Sequence, residues 1–218
     1  MGKFILGLIF IAVLASAFNS SFGDKPPATA SPTPATPAEI RVLTGPERDK
    51  IVAREAEELE LERDKIEKVS FYSPKSRKLR TQIEAYIALP DNKLPFLRMK
   101  VTYFGDDWVF YKSIKIMADD QVVYASDFAR SDVVRNNSSG KVWEVADILA
   151  NDAELIALNS IAKSKSATIR FAGDERRHDH EVTKNERREI QRVLDVYAQL
   201  SDKLKLKSVV DAGKVAAR

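Results

Sequence analysis

A formal net charge of +3 over 218 residues is too small a positive excess to indicate a nucleic-acid partner, because such proteins carry a basic face or stripe. The chain has no cysteine, which excludes disulfide bonds and thiol chemistry. Apolar residues make up 44% of the chain and charged residues 31%, a balance typical of a globular domain with a hydrated surface.

An uncharged apolar run follows Lys3 and extends over residues 4–18. It contains Ala15-Ser16-Ala17 near its end, the small-residue pattern after which a leader peptidase cuts. The run is also shorter than the roughly 20 residues that a spanning helix needs. We therefore expect residues 1–17 to be a secretory signal peptide, and the alternative is an uncleaved anchor that reaches about Phe22. Both interpretations predict an exported protein that is periplasmic, extracellular or held at the outer face of the membrane by residues 4–18.

A linker rich in Pro, Ala and Thr follows over residues 18–43. Five of the nine prolines of the chain lie in residues 24–38. Proline fixes φ and removes a backbone donor, and the small residues around it bury too little surface to fold. We expect a disordered, extended linker. It either holds the globular body away from the membrane or is an N-terminal tail with no function of its own.

A charged helix is predicted over residues 44–69. Thr44-Gly45-Pro46-Glu47 matches a capping box at its start. Val52, Ala56, Leu59 and Ile66 follow at spacings close to those of a coiled-coil seam. The helix is then either a stalk or dimerising helix, or a solvated helix laid against the domain. The second interpretation is favoured because Arg63 interrupts the seam.

Residues 70–202 are predicted to form one β-rich domain. Apolar residues alternate with the period of a strand, and polar turns separate the alternating segments. Strands are expected over residues 79–89, 96–104, 108–117, 121–124, 132–135, 141–145 and 167–171. Such short connections favour an antiparallel meander or sandwich over βαβ units.

Two helices with an apolar stripe are predicted inside this domain, at residues 151–162 and 184–202. Residues 203–218 have no evident partner and are expected to be a frayed tail. The predicted fold class is therefore α+β, with a mainly antiparallel, sandwich-like β body, packed helices and a long charged N-terminal helix.

The two histidines of the chain, His178 and His180, lie close to Asp174 in a polar segment. Imidazole and carboxylate groups bind zinc and other divalent ions, so these three residues form a candidate metal site. Arg176 and Arg177 would repel a cation, which favours a solvated turn instead. No cofactor is expected.

Aromatic side chains occupy both faces of the strands predicted around residues 103–111. One face, with Trp108 and Phe110, must belong to the core. The other face, with Tyr86, Phe104 and Tyr111, is either covered by a helix or forms an exposed binding patch. The C-terminal helices could supply that cover, so burial is the favoured interpretation.

The chain contains neither the Gly-x-Ser-x-Gly elbow of a hydrolase nor a phosphate-binding glycine loop. We therefore expect a non-catalytic, exported module of bacterial type that binds a protein or another cell-envelope component. One alternative is a small hydrolase that acts on an envelope polymer. Another is a self-associating structural protein that forms a homo-oligomer through helix 46–69. Membrane contact is expected only through the N-terminal segment, if that segment stays uncleaved.

Overall fold

The computed structural model describes residues 41–75 and 78–206. The predicted signal peptide, most of the predicted linker and residues 207–218 of the predicted tail lie outside the described residues. Within the described part of the chain, no helix is both long and apolar enough to cross a membrane.

The described residues form ten strands and three α-helices. In chain order these are α1 (Gly45–Glu55), β1 (Glu60–Asp64), β2 (Val69–Ser73), β3 (Gln82–Pro90), β4 (Phe96–Gly105), β5 (Ser113–Ala118), β6 (Gln121–Asp127), β7 (Val133–Ser138), β8 (Lys141–Leu149), α2 (Asp152–Lys163), β9 (Ala167–Ala172), β10 (Arg177–Glu181) and α3 (Lys184–Lys203).

The strands pair antiparallel in two sheets. Six strands form one sheet, in the order β1-β2-β3-β4-β8-β7, which curls into a half barrel. Four strands form the other sheet, in the order β10-β9-β5-β6. The prediction of a mainly antiparallel β body with packed helices is confirmed.

The core begins at β3 and β4, whose alternating apolar residues face the same side because their register matches. Ile83 lies opposite Val101, and Ile87 lies opposite Leu97, and all four side chains are buried. Fully burying an aliphatic side chain of this size contributes about 1.5–3 kcal/mol. The same core cluster contains residues of both sheets, of α2 and of α3, so both helices pack against the sheets and contribute to one core.

Helices α2 and α3 lie within one residue of the predicted bounds. The capping box predicted at Thr183 is present, because the Thr183 hydroxyl accepts from the N–H of Glu186 and the Glu186 carboxylate accepts from the N–H of Thr183. Along α3 the apolar stripe that includes Ile190 and Val193 is buried in the core. The amphipathic period therefore identifies both the helix and the face that it buries.

The predicted helix over residues 44–69 is wrong beyond Glu55. The rest of this segment forms the hairpin β1–β2, with Lys68 at a φ of 55° in its turn. Most helical stability in proteins comes from tertiary packing, and a charged helix with a narrow apolar stripe would have little surface to pack. As a hairpin, the segment instead joins the six-stranded sheet, where β2 pairs with β3. Thr44 also makes no side-chain cap hydrogen bond, so the predicted capping box is absent.

The residues of the predicted dimerising seam do not lie on one helix. Val52, Ala56 and Leu59 are buried in the core of their own chain. Ile66, the last residue of the predicted seam, is 88% exposed in the hairpin turn. Self-association through a helix over residues 46–69 therefore has no structural basis.

Three further segments differ from prediction. The strand predicted over residues 108–117 begins only at Ser113. The polar segment with the two histidines forms β10, one of the two edge strands of the four-stranded sheet. At the start of the predicted tail, Lys203 ends α3 and Lys205 pairs with Val42.

Candidate functional site

Residues 106–112 connect β4 to β5 without regular structure and contain three aromatic residues, Trp108, Phe110 and Tyr111; we call this segment the aromatic loop. The rings of Trp108 and Phe110 stack, with centroids 5.4 Å apart and an interplanar angle of 17°. Trp108 is partly buried and packs against the core. Phe110 lies outside the core and is 54% exposed. The loop therefore presents an apolar ring to solvent with a second ring behind it.

A buried carboxylate holds this loop in place. Glu144 of β8 is fully buried, and its Oε1 accepts from the N–H of Val109 at 2.8 Å and from the N–H of Phe110 at 2.7 Å. Its Oε2 accepts from the N–H of Tyr111 at 3.0 Å and from Nε of Arg135 at 3.1 Å. Hydrogen bonds to a charged group are about twice as strong as neutral ones. The Glu144 side chain thus binds three consecutive backbone N–H groups, and the guanidinium of Arg135 compensates the negative charge of Glu144.

The backbone at Phe110 is strained. Its φ is 52°, in the left-handed region that a bulky side chain rarely adopts. Such a conformation costs about 1–3 kcal/mol and persists only where the surrounding structure determines it. Here the hydrogen bonds from the N–H groups of residues 109–111 to Glu144 hold the backbone of Phe110 in this conformation.

Two glycines allow the loop to approach the sheets closely. A Cβ on Gly173 would lie 2.2 Å from the carbonyl oxygen of Val109, and a Cβ on Gly105 would lie 2.2 Å from the hydroxyl of Tyr103. That hydroxyl donates to the carbonyl oxygen of Asp107 at 2.8 Å. The aromatic loop is therefore packed against its surroundings at both ends and is preorganised.

Exposed ion pairs surround the stacked rings. They are Asp106 with Lys141, Asp107 with Arg176, and Asp174 with Lys112. Exposed pairs of this kind contribute about 0–1 kcal/mol to stability, so they make a hydrated polar rim and do not clamp the loop.

The structure distributes the three predicted metal ligands among different partners. The ring of His178 packs edge-on against Tyr103, with centroids 5.1 Å apart. Nε2 of His180 lies 3.0 Å from Oε1 of Glu186, and Asp174 pairs with Lys112. Among the residues that the structure describes, no group of three or more His, Cys, Asp or Glu side chains is arranged to hold a metal ion. The metal site remains a prediction that this geometry does not support.

Burial shifts the pKa of His178 in β10 and acts on the pKa of Glu186, which contacts His180 of the same strand. It lowers the pKa of His178, and the neighbouring His180 lowers it further. Burial alone would raise the pKa of Glu186, but hydrogen bonds from His180 and Thr183 outweigh burial and lower that pKa overall. Both groups therefore stabilise the fold in the deprotonated state.

The prediction of an exposed aromatic patch with Tyr86, Phe104 and Tyr111 is wrong, because both tyrosines are buried. The partners of their rings and hydroxyls lie on strands and loops, and not on the helices that were expected to cover them. Tyr86 is 2% exposed and Tyr111 is fully buried. The Tyr86 hydroxyl donates to Oδ2 of Asp147, and its ring lies beside Phe71 of the neighbouring strand. Burial raises the pKa of both tyrosines. Phe104 is half-buried in β4.

Among the residues that the structure describes, the large exposed aromatic side chain is instead Phe110, which the sequence predicted to face the core. Trp108 and Phe110 alternate with the period of a strand. Lys112 occupies the next inward position, and this polar residue is the feature of the sequence that argues against a strand here. The residue that decides the conformation, Glu144, lies 34 positions along the chain from Phe110. No local pattern could have indicated it.

A second surface is a groove between α1 and the hairpin β1–β2. It has a volume of about 390 Å³, which is in the size range of ligand sites. Its floor is apolar and is formed by Val52, Ala56, Leu59, Leu61, Tyr72 and Leu89. Its rim is mainly acidic, with Asp49, Glu57 and Asp91 beside Arg48.

Arg48 lines this groove and is itself buried. Its guanidinium donates to the backbone carbonyl oxygens of Leu43, Pro90 and Lys93, and the residue is 6% exposed. Burial lowers the pKa of Arg48, while the nearby carboxylate of Asp91 acts in the opposite direction. Arg48 thus ties α1 to the end of β3.

Comparison of the chain with protein-family models, with curated proteins and with solved structures finds no match.

Proposed function

We propose that this chain is a non-catalytic, exported module of bacterial type that binds a protein of the cell envelope through Phe110. The observation that carries this proposal is the conformation of the aromatic loop. A buried carboxylate holds a bulky apolar side chain in a strained backbone conformation, and that side chain points to solvent. Strained residues of this kind cluster at binding and catalytic sites.

The chemistry of the loop suits a protein partner. Binding energy at protein interfaces is concentrated in a few aromatic residues within a polar rim that excludes water. Phe110 offers the apolar ring, and the ion pairs of Asp106, Asp107 and Asp174 supply such a rim. Because Glu144 orders the loop before binding, association does not have to order it, and that lowers the entropic cost.

The groove gives less support to the alternative of an envelope-polymer hydrolase. A general acid needs a raised pKa near the operating pH. The carboxylate of Asp91 pairs with Arg63 at 2.8 Å, which lowers its pKa. The non-catalytic function is therefore the better supported of the two.

Two parts of the proposal concern architecture and location. We infer that the two sheets are arranged like a sandwich, and the packing of Tyr103 from β4 against Phe171 from β9 supports this, with ring centroids 6.2 Å apart. We also infer export, from the apolar run over residues 4–18 and the proline-rich segment behind it. Such a spacer would let the aromatic loop reach a partner away from the membrane.

Site-specific photo-cross-linking tests this function. The full chain carries p-benzoylphenylalanine in place of Phe110 and is exposed to the envelope fraction of the cell that makes it. The matched control carries the same group in place of Ile156, which is 63% exposed on α2. We expect a discrete, protease-sensitive adduct from position 110 and none from position 156.

A substitution series gives the quantitative form of this test. Phe110→Ser should reduce retention of the cross-linked protein by the immobilised full chain at least 30-fold, which corresponds to the roughly 2 kcal/mol that defines an interface hot spot. Leu149→Ser, which changes a residue that is 55% exposed on β8, should leave retention unchanged. Equal retention by both variants would refute the proposal. An adduct that resists protease would identify an envelope polymer as the partner and would overturn the protein partner proposed here.

A further inference from the structure

Strand β6 (Gln121–Asp127) lies at an edge of the four-stranded sheet, where β5 is its neighbour on one side. In the described part of the chain, no backbone hydrogen bond joins the other side of β6 to another segment. We propose that a second copy of this chain pairs with this open edge, antiparallel and about a twofold axis at Ala125. The two four-stranded sheets then form one continuous sheet across the dimer. This proposal does not depend on the function proposed for Phe110.

The first argument is that β6 lacks the charges that keep exposed strand edges apart. The described sheets end in the strands β1, β7, β10 and β6. Four of the five residues of β1 and three of the five residues of β10 are charged. In β7, Arg135 lies within the strand. The charge of β6 is on Asp127 at its end, so the interior of this strand presents no charge to a partner strand.

The second argument is that the composition of β6 favours strand pairing. Val122, Val123 and Tyr124 are β-branched or aromatic, and these residue types are enriched in strands. Val122 is 66% exposed, and Met117 beside it in β5 is 39% exposed, so apolar surface adjoins the open edge. The other edge with few charges, β7, contains two asparagines, and asparagine is depleted in strands. Of these two edges, β6 is therefore the better one for pairing.

The position of the axis follows from a bulge in β6. Val123 has no direct partner in β5, because the register shifts between Ile116 and Met117. A bulge increases the local twist and turns an edge away from a partner strand. From Tyr124 to Asp127 the pairing with β5 is regular. The regular part of the edge therefore places the axis at Ala125, beyond the bulge.

The third argument is that this pairing brings no like charges together. About an axis at Ala125, Tyr124 lies opposite Ser126 of the second copy, and Val123 lies opposite Asp127. The two Asp127 residues are then four strand positions apart, about 13 Å at roughly 3.3 Å per residue. This separation exceeds the Debye length of about 8 Å at physiological ionic strength, so their repulsion is largely screened. The edge is therefore complementary to a copy of itself, as an isologous interface requires.

Cysteine trapping tests the pairing directly, because the natural chain has no cysteine and an introduced one is the sole thiol. In the proposed dimer the two Cβ atoms at position 125 face each other across the strands at about 4.5–5.5 Å. This distance is close to the roughly 3.5–4.5 Å of a disulfide. The full chain with Ala125→Cys should therefore form a disulfide-linked dimer under mild oxidation.

Two exposed positions on other elements supply the matched controls for trapping. They are Val134→Cys on β7 and Ile156→Cys on α2, where the natural side chains are 43% and 63% exposed. Because pairing raises the local concentration of the facing thiols, we expect position 125 to cross-link at least about tenfold faster than either control. Equal rates at the three positions would overturn the proposal.

Sedimentation over a series of protein concentrations tests whether the unmodified chain associates in solution. Pairing through one short edge gives a small interface, and interfaces below about 1,200 Å² belong to weak, transient complexes. We therefore expect the sedimentation coefficient to rise with concentration. Ala125→Lys changes an exposed residue and places two ammonium groups opposite each other, so it should abolish that rise. A chain that stays monomeric throughout the series would refute the proposal.

The matched control for this variant is Val134→Lys, which adds the same charge to the edge strand β7. It should leave the rise of the sedimentation coefficient unchanged. A rise that persists in Ala125→Lys, or that disappears equally in both variants while circular dichroism shows the native fold, would locate the contact elsewhere and contradict pairing through β6.

Hydrogen exchange of the β6 amides separates a second copy from other occupants of the edge. We expect their protection to increase with the concentration of the full chain. Protection that is the same at all concentrations would make a segment of the same chain the occupant. Protection that appears only after an envelope fraction is added would make another protein the occupant. Either of these results would overturn the proposed dimer.

Discussion

Replacing Glu144 with glutamine tests whether the buried carboxylate holds the aromatic loop. The carboxylate accepts four hydrogen bonds, from three backbone N–H groups and from Arg135. A glutamine side chain of the same size has one acceptor oxygen. If that oxygen keeps the bonds to Val109 and Phe110, the amide NH₂ group faces two donors, the N–H of Tyr111 and the guanidinium of Arg135.

The expected magnitude follows from these two donors. Each buried donor left without an acceptor costs about 1–3 kcal/mol, and a charged donor costs the most. We therefore expect Glu144→Gln to lower the free energy of unfolding by about 3–5 kcal/mol, which matches the range for breaking one member of a buried ion pair. With an m-value of about 2 kcal/mol per molar urea, the unfolding midpoint should fall by roughly 2 M.

Urea denaturation followed by circular dichroism measures this loss, and Glu154→Gln is a matched comparison. Glu154 is also buried, but its carboxylate accepts only from the hydroxyl of Tyr124 and the N–H of Asn151. Its replacement leaves one donor unpaired and should cost about 1–2 kcal/mol. A loss below about 1 kcal/mol for Glu144→Gln, or one no larger than that of Glu154→Gln, would refute the anchoring role.

Three other substitutions test the close packing and the titrating groups near the loop. Gly173→Ala places a methyl group 2.2 Å from a backbone carbonyl oxygen of the aromatic loop. It should lower the free energy of unfolding by about 1–3 kcal/mol in urea, and an unchanged value would contradict the close approach. His178 has a pKa below 6.5 because of burial and His180, so the stability that it contributes is complete above 6.5 and falls as the pH drops through its folded value. The melting temperature of His178→Phe should therefore depend less on pH between about pH 7.5 and 5 than that of the unmodified chain. An equal fall of the melting temperature in the two proteins would show that protonation of buried His178 does not cause the loss of stability. Glu186, whose pKa lies below 4.5, contributes stability above 4.5 that is lost as the pH falls through its folded value. Glu186→Gln should thus be less stable near neutral pH but lose less stability on acidification, and equal acid unfolding curves would refute the role of its hydrogen bonds.

The sequence predicts a helix or strand correctly where its apolar periodicity matches the face that packs into the core. Along β3 the alternation of Ile83, Ala85 and Ile87 reports a face that is buried over its full length. In α3 the capping residue Thr183 and the stripe that includes Ile190 specify the same helix, so local and tertiary preferences support each other.

The sequence fails where a distant partner decides the local structure. The Glu-rich segment after Glu55 has helical composition, but β2 pairs with β3 and draws β1 into the sheet as a hairpin. Phe110 alternates with Trp108 as in a strand, yet the carboxylate of Glu144 turns its backbone into the left-handed region. Tyr86 lies among polar residues and is buried, because neighbouring strands supply Phe71 and Asp147 as partners.

The edge strand β1 has a consequence for behaviour at high concentration. It ends the six-stranded sheet, so one side of its backbone is open to pairing with another chain. Four of its five residues, Glu60, Glu62, Arg63 and Asp64, are charged. Joining two such edges would bring like carboxylates together and would desolvate them, and charged edge strands protect natural sheets from aggregation in this way. The charges that first suggested a helix thus act as a barrier to fibril growth, and this exposed edge should stay soluble when the protein is crowded.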